Sequence, residues 1–73
     1  MREKVYDIIS KKLEMDINDI NDELRIADVE AWDSLTYLLI LEEIEMATGK
    51  TIPIEKAAEA ESVGQLVEWL EEE

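Results

Sequence analysis

Three groups of residues in this 73-residue chain carry side chains that could do chemistry. The sharpest is Asp33-Ser34-Leu35. Asp33 is a good N-cap immediately before a run of helix formers, because its carboxylate can accept the unpaired N–H groups of the first turn. That puts Ser34 in the first turn, behind a long loop, with its hydroxyl exposed. A phosphate ester on Ser34 would face free backbone N–H groups and the positive end of the helix dipole. The chain holds no His and no Cys, so neither the usual base–nucleophile pairs nor zinc sites can be built. Ser34 is therefore a better acceptor of a modification than a nucleophile. The second group is Asp16-Ile17-Asn18-Asp19-Ile20-Asn21-Asp22. It invites a calcium-loop reading, but an EF-hand needs Gly at loop position six and Glu at twelve. Counted from Asp16, those positions hold Asn21 and Ala27, so this is a solvated, turn-rich loop and no metal is expected. The third group, Glu42, Glu43 and Glu45, is an acidic face with no basic residue between Arg25 and Lys50 to pair with along its own helix. It suits docking against a basic partner.

Composition narrows the classes further. Twenty acidic against seven basic residues give a net charge of −13, which repels nucleic-acid phosphates and anionic membrane surfaces alike. Hydrophobic residues make up 47%, enough for a small core and marginal stability. Without cysteine there is no disulfide staple. The longest apolar run, Leu38 to Leu41, is far too short to span a bilayer. Met1-Arg2-Glu3-Lys4 is not followed by an apolar signal segment. The expectation is a soluble cytoplasmic monomer, not an enzyme, with no nucleic-acid or membrane partner.

The elements that must position these groups read as helices. Val5, Ile8, Ile9 and Leu13 share one face of a helix over about 2–14. Residues 15–32 lose that period and are rich in Asp and Asn, whose side chains compete with helix. This long loop packs across the core through Ile17, Ile20, Leu24, Ile26 and Val29. A second helix spans 33–48, with Tyr37, Ile40, Leu41, Ile44 and Thr48 turned inward, and Gly49 ends it in the left-handed conformation. Leu35, Leu39 and Met46 lie on another face with Glu42, as a partner surface would. Pro53 opens a short third helix over 53–60. Ser62 caps a last helix over 62–70, with Trp69 at its edge, and Glu71-Glu72-Glu73 should fray at the negative end of its dipole. The fold class is all-α: a small three- to four-helix bundle with a long first loop, in a single domain over 1–73.

Taken together, Leu13, Ile20, Ile26, Trp32-Asp33-Ser34-Leu35, Glu42-Glu43-Ile44, Ile52-Pro53, Ser62-Val63 and Trp69-Leu70 have the spacing of a known family. Over essentially its whole length the chain resembles the acyl carrier proteins. The resemblance implies that Ser34 accepts 4′-phosphopantetheine from coenzyme A, through a separate phosphopantetheinyl transferase using magnesium. Asp33 would support the attachment by organising that magnesium and the docking geometry. Acyl groups would ride as thioesters on the thiol of the arm, and acyl-transferring or synthase enzymes with basic docking patches would do the bond making. Their recognition positions would be Leu35, Thr36, Leu39, Glu42, Glu45 and Met46.

Departures from the family pattern also carry expectations. Thr36 and Leu39 stand where fatty-acid carriers usually have acids, Thr48 where an aromatic often fills the core, and Trp32 where a small residue usually precedes the Asp. The Trp-Asp-Ser-Leu form looks like stand-alone carriers of specialised pathways, against the general role in fatty-acid or lipid synthesis. The family can shelter acyl chains between the second and third helices. The corresponding lining here is Ile26, Ile44, Ile52, Ala57, Ala60, Leu66 and Trp69, and its small residues would leave a soft pocket. The alternative is a small acidic helical interaction module without a prosthetic group, in which Ser34 is only a helix-start residue.

Overall fold

The computed structural model describes residues 2–72. Its helices are α1 (Arg2–Leu13), α2 (Ser34–Thr48), α3 (Ile54–Ala57) and α4 (Val63–Glu72), with short 3-10 turns at Ile17–Asp19 and Ile26–Asp28. This is the expected small all-α bundle.

The apolar period of each helix points at one shared core. Val5, Ile9 and Leu13 of α1 are buried with Tyr37, Ile40, Leu41 and Ile44 of α2 and with Val63, Leu66, Val67 and Leu70 of α4. α1 ends one residue earlier than its pattern suggested. Glu14 takes a left-handed φ of 55° without being glycine, and the Met15 N–H turns back to the Ser10 carbonyl at 3.0 Å. α2 ends as expected, with Gly49 at φ 75° donating to the Glu45 carbonyl.

The long loop crosses the core and is knotted locally. Asp16 Oδ1 accepts the Asn18 N–H, and Asn21 Oδ1 accepts the Glu23 N–H, each at 2.9 Å. Ile20 and Ile26 are buried and Leu24 and Val29 pack against them. Ile17, expected to join them, stays 44% exposed, because the tight turn capped by Asp16 carries it on the outside. Ile26 N–H donates to the Glu61 carbonyl (3.1 Å) and Val63 N–H to the Leu24 carbonyl (3.0 Å). These bonds make an isolated antiparallel bridge between Arg25 and Ser62. Next to it Gly64 N–H reaches the Asp22 carbonyl at 3.0 Å.

Two helix boundaries correct the sequence reading. The third helix is the single turn Ile54–Ala57, and not 53–60. Beyond it Glu59 and Ala60 make only three-residue turn bonds, to Lys56 and Ala57. The last helix does not stop at Leu70. It runs on through Glu71 and Glu72, where Lys50 Nζ donates to the Leu70 carbonyl at 2.8 Å. A cation there satisfies a terminal carbonyl and suits the dipole.

The −13 charge is what remains after every basic residue is counted. Arg2–Asp22 (3.0 Å), Lys11–Asp7 (3.0 Å) and Lys12–Glu43 (3.6 Å) all lie at the solvent-facing surface, where such pairs contribute little. Self-repulsion among the remaining carboxylates is therefore a main limit on stability, and salt screens it. The melting temperature is expected to rise with sodium chloride, and to rise further with millimolar magnesium or calcium. A flat or falling curve in a thermal denaturation series would show the repulsion to be compensated locally.

Candidate functional site

Asp33 is extended (φ −92°, ψ −179°), and its Oδ1 accepts the Thr36 N–H at 2.8 Å. Its main-chain carbonyl starts the helix by accepting the Tyr37 N–H at 2.9 Å. Ser34 is thereby the first residue of α2, exposed to solvent. The bond from the Thr36 N–H holds the Asp33 carboxyl below its ordinary value of 3.8. A depressed carboxylate adds stability above the unfolded value and loses it as pH falls through the folded one. Asp33→Ala should therefore melt lower than the parent at pH 7, by a margin that is level down to about pH 5 and shrinks below the unfolded value. Asp33→Asn, which keeps an accepting oxygen without the charge, should recover most of the loss. A margin that does not change with pH would sink this account.

Behind the serine the chain is anchored by two aromatics. Trp32 is 7% exposed and meets Tyr37 edge to face, ring centroids 5.4 Å apart at 89°. Tyr37 Oη donates to the Ala57 carbonyl at 2.6 Å, tying α2 to the one-turn α3. Burial pushes the Tyr37 phenol well up from its ordinary range, so it acts as a neutral donor throughout. Lys56 Nζ, 5.0 Å above the Trp69 ring, ties α3 to α4. The indole N–H of Trp32 is buried and has no acceptor among the described residues.

The outward face of α2 presents Leu35 (67% exposed), Leu39 (42%) and Met46 (75%), together with exposed Glu42 and Glu45 and half-buried Thr36. Leu38, 48% exposed, extends this face and was missed in the sequence. Its i+3 spacing from Leu35 was the available signal. Glu43 turns aside to Lys12, and Glu45 accepts the Thr51 hydroxyl.

The seven residues expected to line a pocket do come together, but as core. Ile26, Ile44, Ile52, Ala57, Ala60 and Leu66 are buried in one cluster, and Trp69 packs against it half-buried. The opening beside them is a groove of about 450 Å³ between α2 and the chain entering α3, lined by Leu38, Leu41, Glu42, Glu45, Thr51, Ile52, Pro53 and Ile54. Ile52 is the residue the two sets share. Thr48, in the place of a bulky ring, turns its hydroxyl to the Ile44 carbonyl (2.7 Å) and accepts the Lys50 N–H (3.1 Å).

The aspartate-rich loop is occupied with its own turns. Asp16 and Asn21 cap locally, while Asp22 accepts from Tyr6 Oη and from Arg2 Nε. The Tyr6 hydrogen bond, then that of Arg2, holds the Asp22 carboxyl below its ordinary value. Among the described residues no group of three or more carboxylates is arranged to hold a metal ion. Nor is any helix there long and apolar enough to cross a membrane.

Ser34 thus stands exposed at the start of the second helix of a small all-α bundle, above an acidic and apolar face. Residues 3–70 match the family model described as a phosphopantetheine attachment site, and the chain belongs to that family. Its prosthetic group is 4′-phosphopantetheine. Family members are carriers without catalysis of their own, served by a phosphopantetheinyl transferase and by acyl-handling enzymes. The residues present fit the group. They offer an exposed hydroxyl at the positive end of the α2 dipole, although Asp33 already takes the Thr36 N–H that the sequence left free for a phosphate.

Proposed function

We propose that Ser34 is the attachment residue, and that the holo protein carries acyl groups as thioesters for the enzymes of a specialised pathway. The observation that carries this reading is the exposed Ser34 at the first position of α2, directly after the capping Asp33. In loading, the Ser34 hydroxyl would give its proton to a base of the transferase and its Oγ would form the phosphoester bond as the pyrophosphate bond of coenzyme A breaks and adenosine 3′,5′-bisphosphate leaves. The transferase supplies the base and the magnesium. Asp33 Oδ1 is engaged by the Thr36 N–H, and the Asp33 carboxylate beside Ser34 would supply negative charge to help hold the magnesium.

Leu35, Thr36, Leu39, Glu42, Glu45 and Met46 form the recognition face in this reading, with Leu38 added. Its acids begin two turns into α2, so partners meet an apolar stretch beside the serine and a charged stretch beyond it. That order supports a specialised role over a general one in fatty-acid synthesis. An acyl chain would shelter in the groove beside Ile52, between Leu38, Leu41, Pro53 and Ile54, over a closed core. Each methylene buried there contributes about 0.8 kcal/mol.

The test is intact mass after incubation with coenzyme A, magnesium and a broad-specificity transferase, followed by fragmentation. A gain of one phosphopantetheine on a peptide containing Ser34 is expected. No gain, or a gain elsewhere, overturns the proposal.

A further inference from the structure

The groove beside Ile52 is uneven in what its side chains offer a guest. From α2 it takes Leu38, Leu41, Glu42 and Glu45. Counted from Ser34 these are the fourth, seventh, eighth and eleventh residues on, a single face of a helix. At about 1.5 Å of rise per residue, the groove begins about 6 Å along the helix axis from Ser34 and ends at about 16 Å. It is open to solvent, since Leu38, Glu42, Glu45, Thr51 and Ile54 are all exposed. A group carried on Ser34 therefore meets it from outside. The opposite wall runs antiparallel to α2, because Tyr37 bonds to Ala57 toward the Ser34 end and Thr51 bonds to Glu45 at the far end. The polar side chains Glu42, Glu45 and Thr51 thus gather in the half of the groove away from Ser34. All three present acceptors. The Thr51 hydroxyl already donates to Glu45, and no lining residue is basic. The lysines that flank the opposite wall are engaged elsewhere: Lys50 Nζ at the Leu70 carbonyl (2.8 Å) and Lys56 Nζ over the Trp69 ring (5.0 Å). Lys12 pairs with Glu43, which lies outside the groove. A guest ammonium or hydroxyl finds acceptors there. A guest carboxylate meets two like charges and no donor side chain.

We infer that this groove selects acyl cargo whose far end carries a hydrogen-bond donor, an ammonium or a hydroxyl, and turns away cargo ending in a carboxylate. This rests on Ser34 being the attachment residue and on the groove sheltering the chain. Leu38, Leu41, Ile52 and Ile54 bury methylenes whatever the end group, while Glu42 and Glu45 determine which end group is accepted. The seven residues from Leu38 to Glu45 span about 10 Å of helix, which suits a chain of medium length. An ammonium is favoured over a hydroxyl, because its hydrogen bonds to carboxylates are charge-assisted.

The test loads the protein, through matched coenzyme A thioesters and the transferase, with octanoyl, ω-hydroxyoctanoyl, ω-aminooctanoyl and suberoyl groups. These chains are of equal length and end in methyl, hydroxyl, ammonium and carboxylate; intact mass verifies each. At low salt the melting temperature should rise on loading in the order ammonium, hydroxyl, methyl, carboxylate, with at least about 3 °C between the first and the last. The Ile52 and Ile54 methyl resonances should move for the first three and stay at their holo positions for the carboxylate. The double variant Glu42→Gln with Glu45→Gln should lose that order and admit the carboxylate-ended chain. Glu68→Gln with Glu71→Gln removes the same charge from α4, away from the groove, and should keep the order. This pair of variants separates recognition in the groove from the general pull of an acidic chain on cations. A carboxylate-ended chain that moves Ile52 and Ile54 in the parent as the aminated one does overturns the inference alone. So does an order that survives the groove variant, or one that vanishes equally in the α4 variant. Octanoyl loading that leaves both isoleucines at their holo positions overturns it together with shelter in the groove. Absence of any mass gain overturns it together with the assignment of Ser34.

Discussion

Ser34→Ala should take up no phosphopantetheine while keeping the parent fold. The loss is complete because neither of the other two serines is similarly placed. Ser10 is buried, with its hydroxyl donating to the Asp7 carbonyl at 3.1 Å. Ser62 is half-buried, and its hydroxyl accepts the Gln65 N–H at 3.3 Å at the start of α4. Loading either would break an interaction that the fold uses. Removing the Ser34 hydroxyl breaks none of the caps, since the cap of α2 is the Asp33 carboxylate. An exposed substitution of this kind changes stability by less than about 0.5 kcal/mol, a few degrees in melting temperature for a domain of this size. Intact mass reads the first half of the expectation and thermal denaturation the second. Incorporation into the variant, or at Ser10 or Ser62 in the parent, would remove Ser34 from its role.

Gly64→Val should be the most damaging single substitution outside the apolar core. A Cβ on Gly64 would stand 2.9 Å from the Asp22 Cβ, 2.9 Å from the Asp22 carbonyl oxygen and 3.3 Å from its Cα. Two of these are main-chain atoms and the third is the Cβ fixed to them, not the tip of a side chain that could swing away. The Asp22 segment cannot retreat freely, because its carboxylate is held by Tyr6 and Arg2. Its carbonyl also accepts the Gly64 N–H. α4 or the loop must therefore move, at about 1–3 kcal/mol for forced overpacking. At roughly 4–8 °C per kcal/mol for so small a domain, the melting temperature should fall by some 5–20 °C. Gly64→Ala should fall less, through the same contact. A melting temperature within about 3 °C of the parent in Gly64→Val would mean that the close approach relaxes at no cost.

What could be read from the sequence was local and periodic. α2 was legible because its start and stop are written in neighbouring residues: Asp33 caps it, Gly49 takes the left-handed turn, and a regular 3.6-residue spacing turns Tyr37, Ile40 and Ile44 inward. The candidate residue Ser34 followed from that start. What was not legible depends on residues far apart in the chain. Nothing near Leu70 indicates that Lys50 satisfies its carbonyl, so α4 read as ending early. Nothing near Gly64 indicates that Asp22 lies against it; inside a helical pattern it reads only as a weak helix former. The alanines of 57–60 suggested a longer third helix by propensity. With only one apolar turn to bury, that helix stops after Ala57, and tertiary ties from Tyr37 and Lys56 secure it. The expected pocket residues were right as neighbours of one another, but spacing along a chain does not say whether neighbours leave room between them.

The paired hydrogen bonds joining Leu24–Ile26 to Glu61–Val63 have a mechanical meaning. They fasten the chain at a neck, and α2, α3 and Ser34 lie inside the loop that the neck closes. α1 and most of α4 lie outside it. Tension applied through the two ends of the described chain would load α1, α4 and the neck, and would reach α2 through the core it shares with α1. Pulled this way the bonds would open one after another, Gly64 to Asp22 first, then Val63 to Leu24, and Ile26 to Glu61 last. A carrier is pulled about by the partners it visits and by whatever it is tethered to. In this fold Ser34, the proposed attachment point, lies inside the segment that the neck closes.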